Sequence, residues 1–322
     1  MKENQLWKFI LEKLMTGERV VLLVVVDFEK GSPGKTGFKL ALTADKKFVG
    51  TIGGGVMEYS ILEQYAAQLQ SGKVIRDLRM LVHSPTTSRG ELSGLACAGS
   101  QTMCAVSLDE NDIFTVRSIH AALVEHLPAR MIFTEDGFFF DEGKKSNHST
   151  FKQTSSVQWR YEENIGPEYT IYVIGGGHVG NALSRILATL DFYIVVYDER
   201  EDLQLLKENA FAHKKIIAPY SQLAQHITEP QKSFAAIVTS NSNSDTVVLQ
   251  QVLPLHLPYV GLMGAEAKIA RVKKSLDEAE RKEFLRQHIH SPIGIQIESR
   301  TVEEIAISIA AEIIAVKNSN LN

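Results

Sequence analysis

The segment Gly175-Gly176-Gly177-His178-Val179-Gly180 follows the apolar run at 171–174 and precedes apolar residues at helical spacing. Between a strand and a helix, the G-x-G-x-x-G pattern has a mechanical meaning. Gly175 permits the tight turn, Gly177 lets backbone approach a phosphate, and Gly180 lets helix and strand pack closely. The helix N-terminus adds unpaired N–H groups and the favourable end of its dipole. Asp198 ends the next expected strand, about 20 residues on, where an acidic residue can receive ribose hydroxyls. His178, just inside the turn, is a candidate ligand contact. The turn can also persist as architecture without a ligand, because a fold does not fix a function.

The first half offers three further places for chemistry. Gly53-Gly54-Gly55, with Glu58 in the first helical turn after it, reads either as a second strand-to-helix anion site or as a tight corner that needs glycine. Gly31-Ser32-Pro33-Gly34-Lys35-Thr36-Gly37 is not a P-loop, because Glu29 stands where that pattern needs glycine. What remains is a flexible loop presenting Ser32 and Lys35. Cys97 lies in the small-residue loop Gly94-Leu95-Ala96-Cys97-Ala98-Gly99, where a thiolate could ligate a soft metal or carry sulfur. Cys104 alternates with Met103 and Ala105 in an expected strand and reads as core.

These residues need elements to hold them. An amphipathic helix with Leu6, Phe9, Ile10 and Leu14 stops at Gly17. The β-branched run at 20–26 reads as a buried strand, and 38–43 with 48–52 as a hairpin across Asp45 and Lys46. A helix with Leu62, Tyr65, Ala66 and Leu69 on one face follows. Strands at 74–82 and 101–108, a helix around 119–125 and a hairpin at 130–140 complete this half. Residues 141–168 lose apolar periodicity and read as an interdomain segment. Strands at 171–174, 193–197, 216–218, 235–239 and 259–262 then alternate with helices, which implies a parallel sheet with right-handed crossovers. The last helix starts at Thr301 with Glu304 as capping-box partner. It is apolar nearly all round (Ile305, Ile307, Ile309, Ile313, Ile314), which implies burial on more than one side and favours a homodimer. The expected architecture is α/β: a smaller N-terminal mixed α/β domain over 1–145, a linker over 146–167, and a Rossmann-type doubly wound parallel sheet over 168–322.

Composition narrows the partners. Of 322 residues, 44% are hydrophobic and 22% charged, the balance of a folded globular chain. The net charge of −4 leaves no basic surplus for nucleic acid. No run of about 18 apolar residues could span a bilayer, and the first ten residues do not resemble a signal peptide. A cytoplasmic protein is expected. Two cysteines cannot build a disulfide framework or an iron–sulfur ligand set.

Taken together, the motifs resemble the XdhC/CoxI family, the xanthine dehydrogenase accessory proteins. In the first half the resemblance runs through Gly31-Ser32-Pro33, Gly37-Phe38-Lys39-Leu40, Gly50-Thr51-Ile52-Gly53-Gly54-Gly55-Val56-Met57-Glu58 and Cys97-Ala98-Gly99. In the second it runs through 175–180, Asp198-Glu199-Arg200, Tyr259-Val260-Gly261-Leu262-Met263-Gly264, Ser291-Pro292-Ile293-Gly294 and 301–315. It implies a protein that binds molybdenum cofactor and helps deliver it, often after sulfuration, into a molybdenum hydroxylase client such as xanthine dehydrogenase. A cysteine desulfurase would be the sulfur-donating partner. The resemblance makes Cys97 a candidate contact to molybdenum or its sulfur ligand. Molybdenum cofactor carries a phosphate, and some forms an added nucleotide, so two glycine-rich turns and one thiol suit it; a separate dinucleotide at the Rossmann turn is the other occupant considered.

The chain departs from the family pattern at three places. The arginine after the loop proline is Gly34, with Lys35 one place later; Cys-Gly-Gly is Cys97-Ala98-Gly99; and the histidines after the fourth Rossmann strand are missing from Thr239-Ser240-Asn241-Ser242-Asn243-Ser244-Asp245. The last change removes the basis for a metal or acid–base role there. Two other functions fit parts of the sequence. An NAD(P)-dependent oxidoreductase would use the same turn, but the first half offers no evident hydride-transfer constellation. Xanthine dehydrogenase itself needs iron–sulfur clusters, so that reading survives only as an auxiliary subunit.

Overall fold

The computed structural model describes residues 2–83, 91–93, 99–125, 127, 129–143, 149–155, 158–190, 192–287 and 289–319. The chain forms two units, Met1–Gly166 and Pro167–Asn322.

The first unit opens with helix α1 (Lys2–Met15) and strand β1 (Val20–Phe28). β1 lies inside a six-stranded sheet with β2 (Lys39–Thr43), β3 (Phe48–Gly50), β4 (Arg76–Val82), β5 (Glu91–Leu92) and β6 (Ser100–Leu108), in the order β3-β2-β1-β6-β4-β5. Only the β4–β5 pair is parallel. Helix α2 (Gly55–Gln70) packs on one face with Val21, Leu23 and Val25; α1 and α3 (Ile113–Glu125) pack on the other with Val20, Leu22 and Val24. Burial on both faces explains the unbroken apolar run, each such side chain contributing roughly 1.5–3 kcal/mol. Cys104 is fully buried in β6, and burial raises its thiol pKa far above the usual range.

The stretch expected as a linker is instead half of a second sheet. Strands β7 (Ala129–Thr134), β8 (Gly137–Glu142), β9 (Thr150–Gln153) and β10 (Trp159–Asn164) form an antiparallel sheet in the order β8-β7-β10-β9. Along β10 the buried row is Trp159, Tyr161 and Glu163, alternating with charged Arg160 and the half-buried Glu162. A carboxylate in a core position hid the alternation. Its burial is compensated: Lys39 Nζ lies 2.9 Å from Glu163 Oε1 and 2.9 Å from Glu3 Oε1, and Tyr161 Oη donates to Glu163 Oε2 at 2.9 Å. Burial alone would lower the Lys39 pKa; the Glu163 and Glu3 carboxylates outweigh it and push it above the usual lysine range. This cluster joins α1, β2 and β10.

The second unit holds five parallel strands: β11 (Tyr169–Ile174), β12 (Phe192–Asp198), β13 (Lys214–Ile217), β14 (Ser233–Ile237) and β15 (Tyr259–Leu262), in the order β13-β12-β11-β14-β15. Helices α4 (His178–Leu187), α5 (Gln204–Lys207), α6 (Ser242–Val252), α7 (Glu266–Ser275), α8 (Glu278–Arg286) and α9 (Val302–Ser319) surround it. One face packs on α4 and α9, the other on α6 to α8. This is the doubly wound sheet expected.

Helix α9 has the expected cap: Glu304 N donates to Thr301 Oγ1 (3.2 Å), and Thr301 N to Glu304 Oε2 (3.1 Å). Its burial is narrower than its composition implies. Ala306, Ile309, Ala310 and Ile313 face the sheet and α4, whereas Ile307 is 53% exposed. The helix therefore buries one stripe within its own unit. Glu312 ties it to the Ser291–Gly294 segment by accepting from Tyr259 Oη (2.7 Å) and Gly294 N (2.9 Å) and pairing with His290 Nδ1 (3.1 Å). Among the described residues no helix is long and apolar enough to cross a membrane.

The Lys39 cluster gives the first prediction. Lys39→Met leaves the buried Glu163 carboxylate and the half-buried Glu3 carboxylate without a cation and should cost about 3–5 kcal/mol. Urea unfolding should show a lower midpoint at unchanged slope, partly restored by adding Glu163→Gln. An unchanged midpoint in Lys39→Met rejects the role given to the cluster.

Candidate functional site

The glycine turn leaves β11 and opens α4, and each glycine has its own reason. Gly175 has φ +116°, and a Cβ there would lie 2.6 Å from Val238 O. At Gly180 a Cβ would lie 1.9 Å from Gly175 O, and at Gly176 it would press on Leu206 at 3.1 Å. Packing requires glycine at Gly175 and Gly180 and leaves little room for a side chain at Gly176. Gly177 is not so constrained: its φ is −73°, and a Cβ there would meet nothing within 4 Å. Its bare backbone borders open space, as close approach by a ligand requires. The first backbone N–H joined to the turn by the helix is that of Asn181, donating to Gly177 O at 2.9 Å. Those of Gly177, His178 and Val179 precede it at the positive end of α4.

Asp198 does not face a ribose. It is fully buried; Oδ2 accepts from Gly176 N (2.8 Å) and Arg200 Nη2 (2.7 Å), and Oδ1 from Arg200 N (3.0 Å) and Nε (2.8 Å). A carboxylate offers about four lone-pair sites, and all are taken. Burial acts to raise its pKa, but the bonds from Arg200 and Gly176 N prevail and hold it below the usual carboxylate value. The expected ribose acceptor is thus a brace between β12 and the turn. His178 is exposed and lines an open hollow of about 230 Å³ beside α4 with Asn181, Arg185, Leu205, Val302 and Glu303.

In the first unit, the turn at Gly53, Gly54 and Gly55 holds its own anion. Glu58 Oε2 accepts from Ile52 N (2.8 Å), Gly54 N (3.0 Å) and Thr51 Oγ1 (2.7 Å), while Gly53 N donates to Thr51 Oγ1 (3.1 Å). Of the glycine N–H groups expected to receive a phosphate, that of Gly54 is taken by Glu58 and that of Gly53 by Thr51. Ser32 also departs from expectation, being buried rather than presented. Its Oγ donates to Gln101 Oε1 (3.0 Å) and lies 3.1 Å from His83 Nε2. Gly34 N donates to the same Gln101 oxygen (3.0 Å), and Gln101 Nε2 donates to Ile52 O (2.9 Å). His83 Nδ1 lies 2.7 Å from Ser93 Oγ. Lys35 is exposed, with Nζ donating to Ser32 O (2.9 Å) and lying 4.4 Å from the centre of the Phe28 ring. Cys97 lies outside the described residues.

The loop is thus pinned by Gln101 and His83, which sequence reasoning missed. Their signal was a glutamine and a histidine placed within or beside apolar strands, where burial demands partners.

A parallel sheet of this order, with a glycine turn at its first strand, defines a Rossmann-type α/β protein, here joined to a second α/β unit. The chain belongs to the XdhC and CoxI family: the family's Rossmann-domain model matches residues 171–313, and the XdhC and CoxI family model matches residues 14–83. It is 24% identical over 300 residues to the uncharacterized Escherichia coli protein YqeB, covering 92% of this chain and 43% of that protein, so it spans less than half that relative's length. It is 21% identical over 327 residues to a Bacillus subtilis protein named as a probable subunit of xanthine dehydrogenase, covering 93% of this chain and 94% of that protein. A crystal structure from Bacillus halodurans, named a xanthine dehydrogenase, shares the fold with a TM-score of 0.73 at 19% identity, covering 99% of this chain and 96% of the other.

His83 gives a pH prediction. Burial lowers its pKa from 6.5, so the unfolded chain takes the proton first as pH falls. Its contribution to stability is therefore full above about pH 6.5 and is lost as pH drops toward its lower folded value. Urea midpoints measured from about pH 8 to 5 should fall below about 6.5 in the wild type and fall less in His83→Gln. The same slope in both proteins would place the titrating group elsewhere.

Proposed function

We propose that this protein is an accessory protein of a xanthine dehydrogenase-type molybdenum hydroxylase, which binds molybdenum cofactor and assists its insertion into that client. The observation that carries the reading is Gly177, a glycine no packing demand explains, at an open helix N-terminus in a member of the XdhC and CoxI family. The donor set suits a phosphate-bearing ligand: backbone N–H groups of Gly177 and His178, the positive end of α4, and no acidic side chain in its first turn. These groups would hold the phosphate, and the pterin dithiolene would supply the molybdenum that the client uses. Cys97 would add a soft thiolate suited to molybdenum or its sulfur ligand. A cysteine desulfurase as sulfur donor, a homodimeric assembly and a cytoplasmic location complete the proposal. The NAD-dependent form of the oxidoreductase alternative loses its acidic ribose contact at Asp198, whose lone pairs are already engaged.

The test is purification from cells that make molybdenum cofactor, followed by mass and absorbance measurement of the retained ligand. A pterin is expected; a nicotinamide dinucleotide alone would overturn the reading. Gly177→Val should keep the wild-type melting temperature, since the new side chain enters open space, yet retain at least about tenfold less pterin. Full retention in folded Gly177→Val would make the turn a relic.

A second prediction compares cysteines. Cys97→Ser should reduce activation of co-expressed xanthine dehydrogenase by about tenfold or more. Cys104→Ser, altering a fully buried strand residue, should leave activation per folded molecule unchanged. Full activation by Cys97→Ser would remove the thiol from the mechanism.

A further inference from the structure

We infer that Arg200 is a specificity-determining residue of the Rossmann turn, selecting a ligand with a second phosphate where an NAD-type site would receive a ribose diol. The inference rests on the reading that the turn seats a phosphate, and on no part of the pterin or client assignments.

In a Rossmann site, the side chains at the end of the second strand meet the ribose next to the seated phosphate. A free carboxylate there accepts from the 2′ hydroxyl, whereas an arginine accommodates a 2′ phosphate. This chain has both residue types at that position, and the geometry shows which one faces outward. Asp198 is 0% exposed and its lone pairs are saturated, so a ribose hydroxyl finds no acceptor on it. Arg200 is 47% exposed.

The pair is built as a clamp. Arg200 Nε and Nη2 form a two-point fork on Asp198, which fixes the plane of the guanidinium. Gly176 N and Arg200 Nη2 donate to the same carboxylate oxygen, so the guanidinium edge lies beside the glycine turn. Two of the five guanidinium N–H groups are spent on Asp198; among the described residues, no protein acceptor takes the other three. A planar cation already held in place loses little rotamer freedom on meeting a phosphate. Asp198 offsets part of the guanidinium charge, but the donors left over match the acceptor oxygens of a phosphate, whereas a ribose diol finds no free acceptor on Asp198.

Two probes separate this from the seating of a phosphate as such. Adenosine 5′-monophosphate carries one phosphate for the turn, and adenosine 2′,5′-bisphosphate adds a second at the ribose edge. Calorimetric titration of the full chain should show the bisphosphate binding at least about tenfold more tightly, with a preference that shrinks as salt is raised. Arg200→Met should abolish the preference, so that the folded variant binds the two probes equally. Arg200→Lys, a point charge without the fork, should keep only part of it.

Equal wild-type affinity for the two probes overturns the inference and leaves the turn's phosphate reading intact. Binding of neither probe overturns both. A preference that survives in folded Arg200→Met assigns the second phosphate to another group and also overturns the inference. The wild-type comparison needs no variant to fold. Pterin retention is measured independently, so its failure and the failure of this inference remain distinguishable.

Discussion

A glycine-rich turn at the head of a helix exposes backbone N–H groups that need an acceptor, and this chain meets that demand in two ways. At the head of α2 the acceptor is internal: Glu58 reaches back to Ile52 N and Gly54 N, and Thr51 takes Gly53 N. At the head of α4 the first turn contains no acidic residue. Asp198 reaches in from β12 and takes Gly176 N, and no side chain caps the helix at Gly177. The distinction between a closed corner and an open site therefore depends on where a carboxylate lies. Glycine counts alone could not separate them, because a self-capped turn and a ligand turn have the same glycines and the same helix dipole.

The C-terminal edge of the parallel sheet is held by two buried carboxylates. Asp198 joins β12 to the glycine turn, and Asp245 joins α6 to the ends of β14 and β15. Asp245 Oδ1 accepts from Thr239 Oγ1 at 2.6 Å, and its Oδ2 lies 2.5 Å from Lys268 Nζ, which also donates to Met263 O (3.0 Å) and Thr239 O (3.3 Å). Burying such charges is costly, and apolar replacements of equal shape are often as stable. Their contribution here is geometric: each directs a loop that follows a strand, and that edge is where open α/β sheets bind ligands. Preorganised loops lower the ordering cost of binding.

The second unit was largely legible because its strands are buried on both faces and its turn has a fixed strand–glycine–helix context. Apolar runs at 171–174, 235–239 and 259–262 lie in or overlap β11, β14 and β15. What stayed hidden was always a matter of side-chain partners. Glu163 in a core row disguised β10 as polar linker, since nothing local reveals that Lys39, far away in sequence, neutralises it. Ser32 read as presented because its partners, His83 and Gln101, come from other strands. Asp198 read as a ribose acceptor because its position fits that role, but Arg200 two residues on takes the carboxylate, a local competition that position alone does not resolve. The composition of α9 overstated its burial because sequence gives the apolar count, whereas geometry decides that Ile307 points away from the stripe.

The strand end at 239–245 differs from the ends of β11 and β12 in how its polar groups are committed. Where the resemblance leads one to expect histidines, Asn241 caps α6, its Oδ1 accepting from Ser244 N at 2.9 Å, and Asp245 lies buried behind it. The nearby cation, Lys268, is committed to Asp245 and two backbone carbonyls, which take all three of its N–H donors. That end of the sheet is internally neutralised and has no donor to spare from these groups. Arg200 differs in kind: five donors exceed what one carboxylate can accept from it, so the same pairing that fixes the side chain leaves its outer edge unsatisfied. An arginine braced by a buried aspartate can therefore be both a structural tie and a binding group, whereas a lysine braced in the same manner is consumed. Placed one strand from a turn whose Gly177 faces open space, that residual capacity lies next to the N–H groups that α4 leaves unpaired.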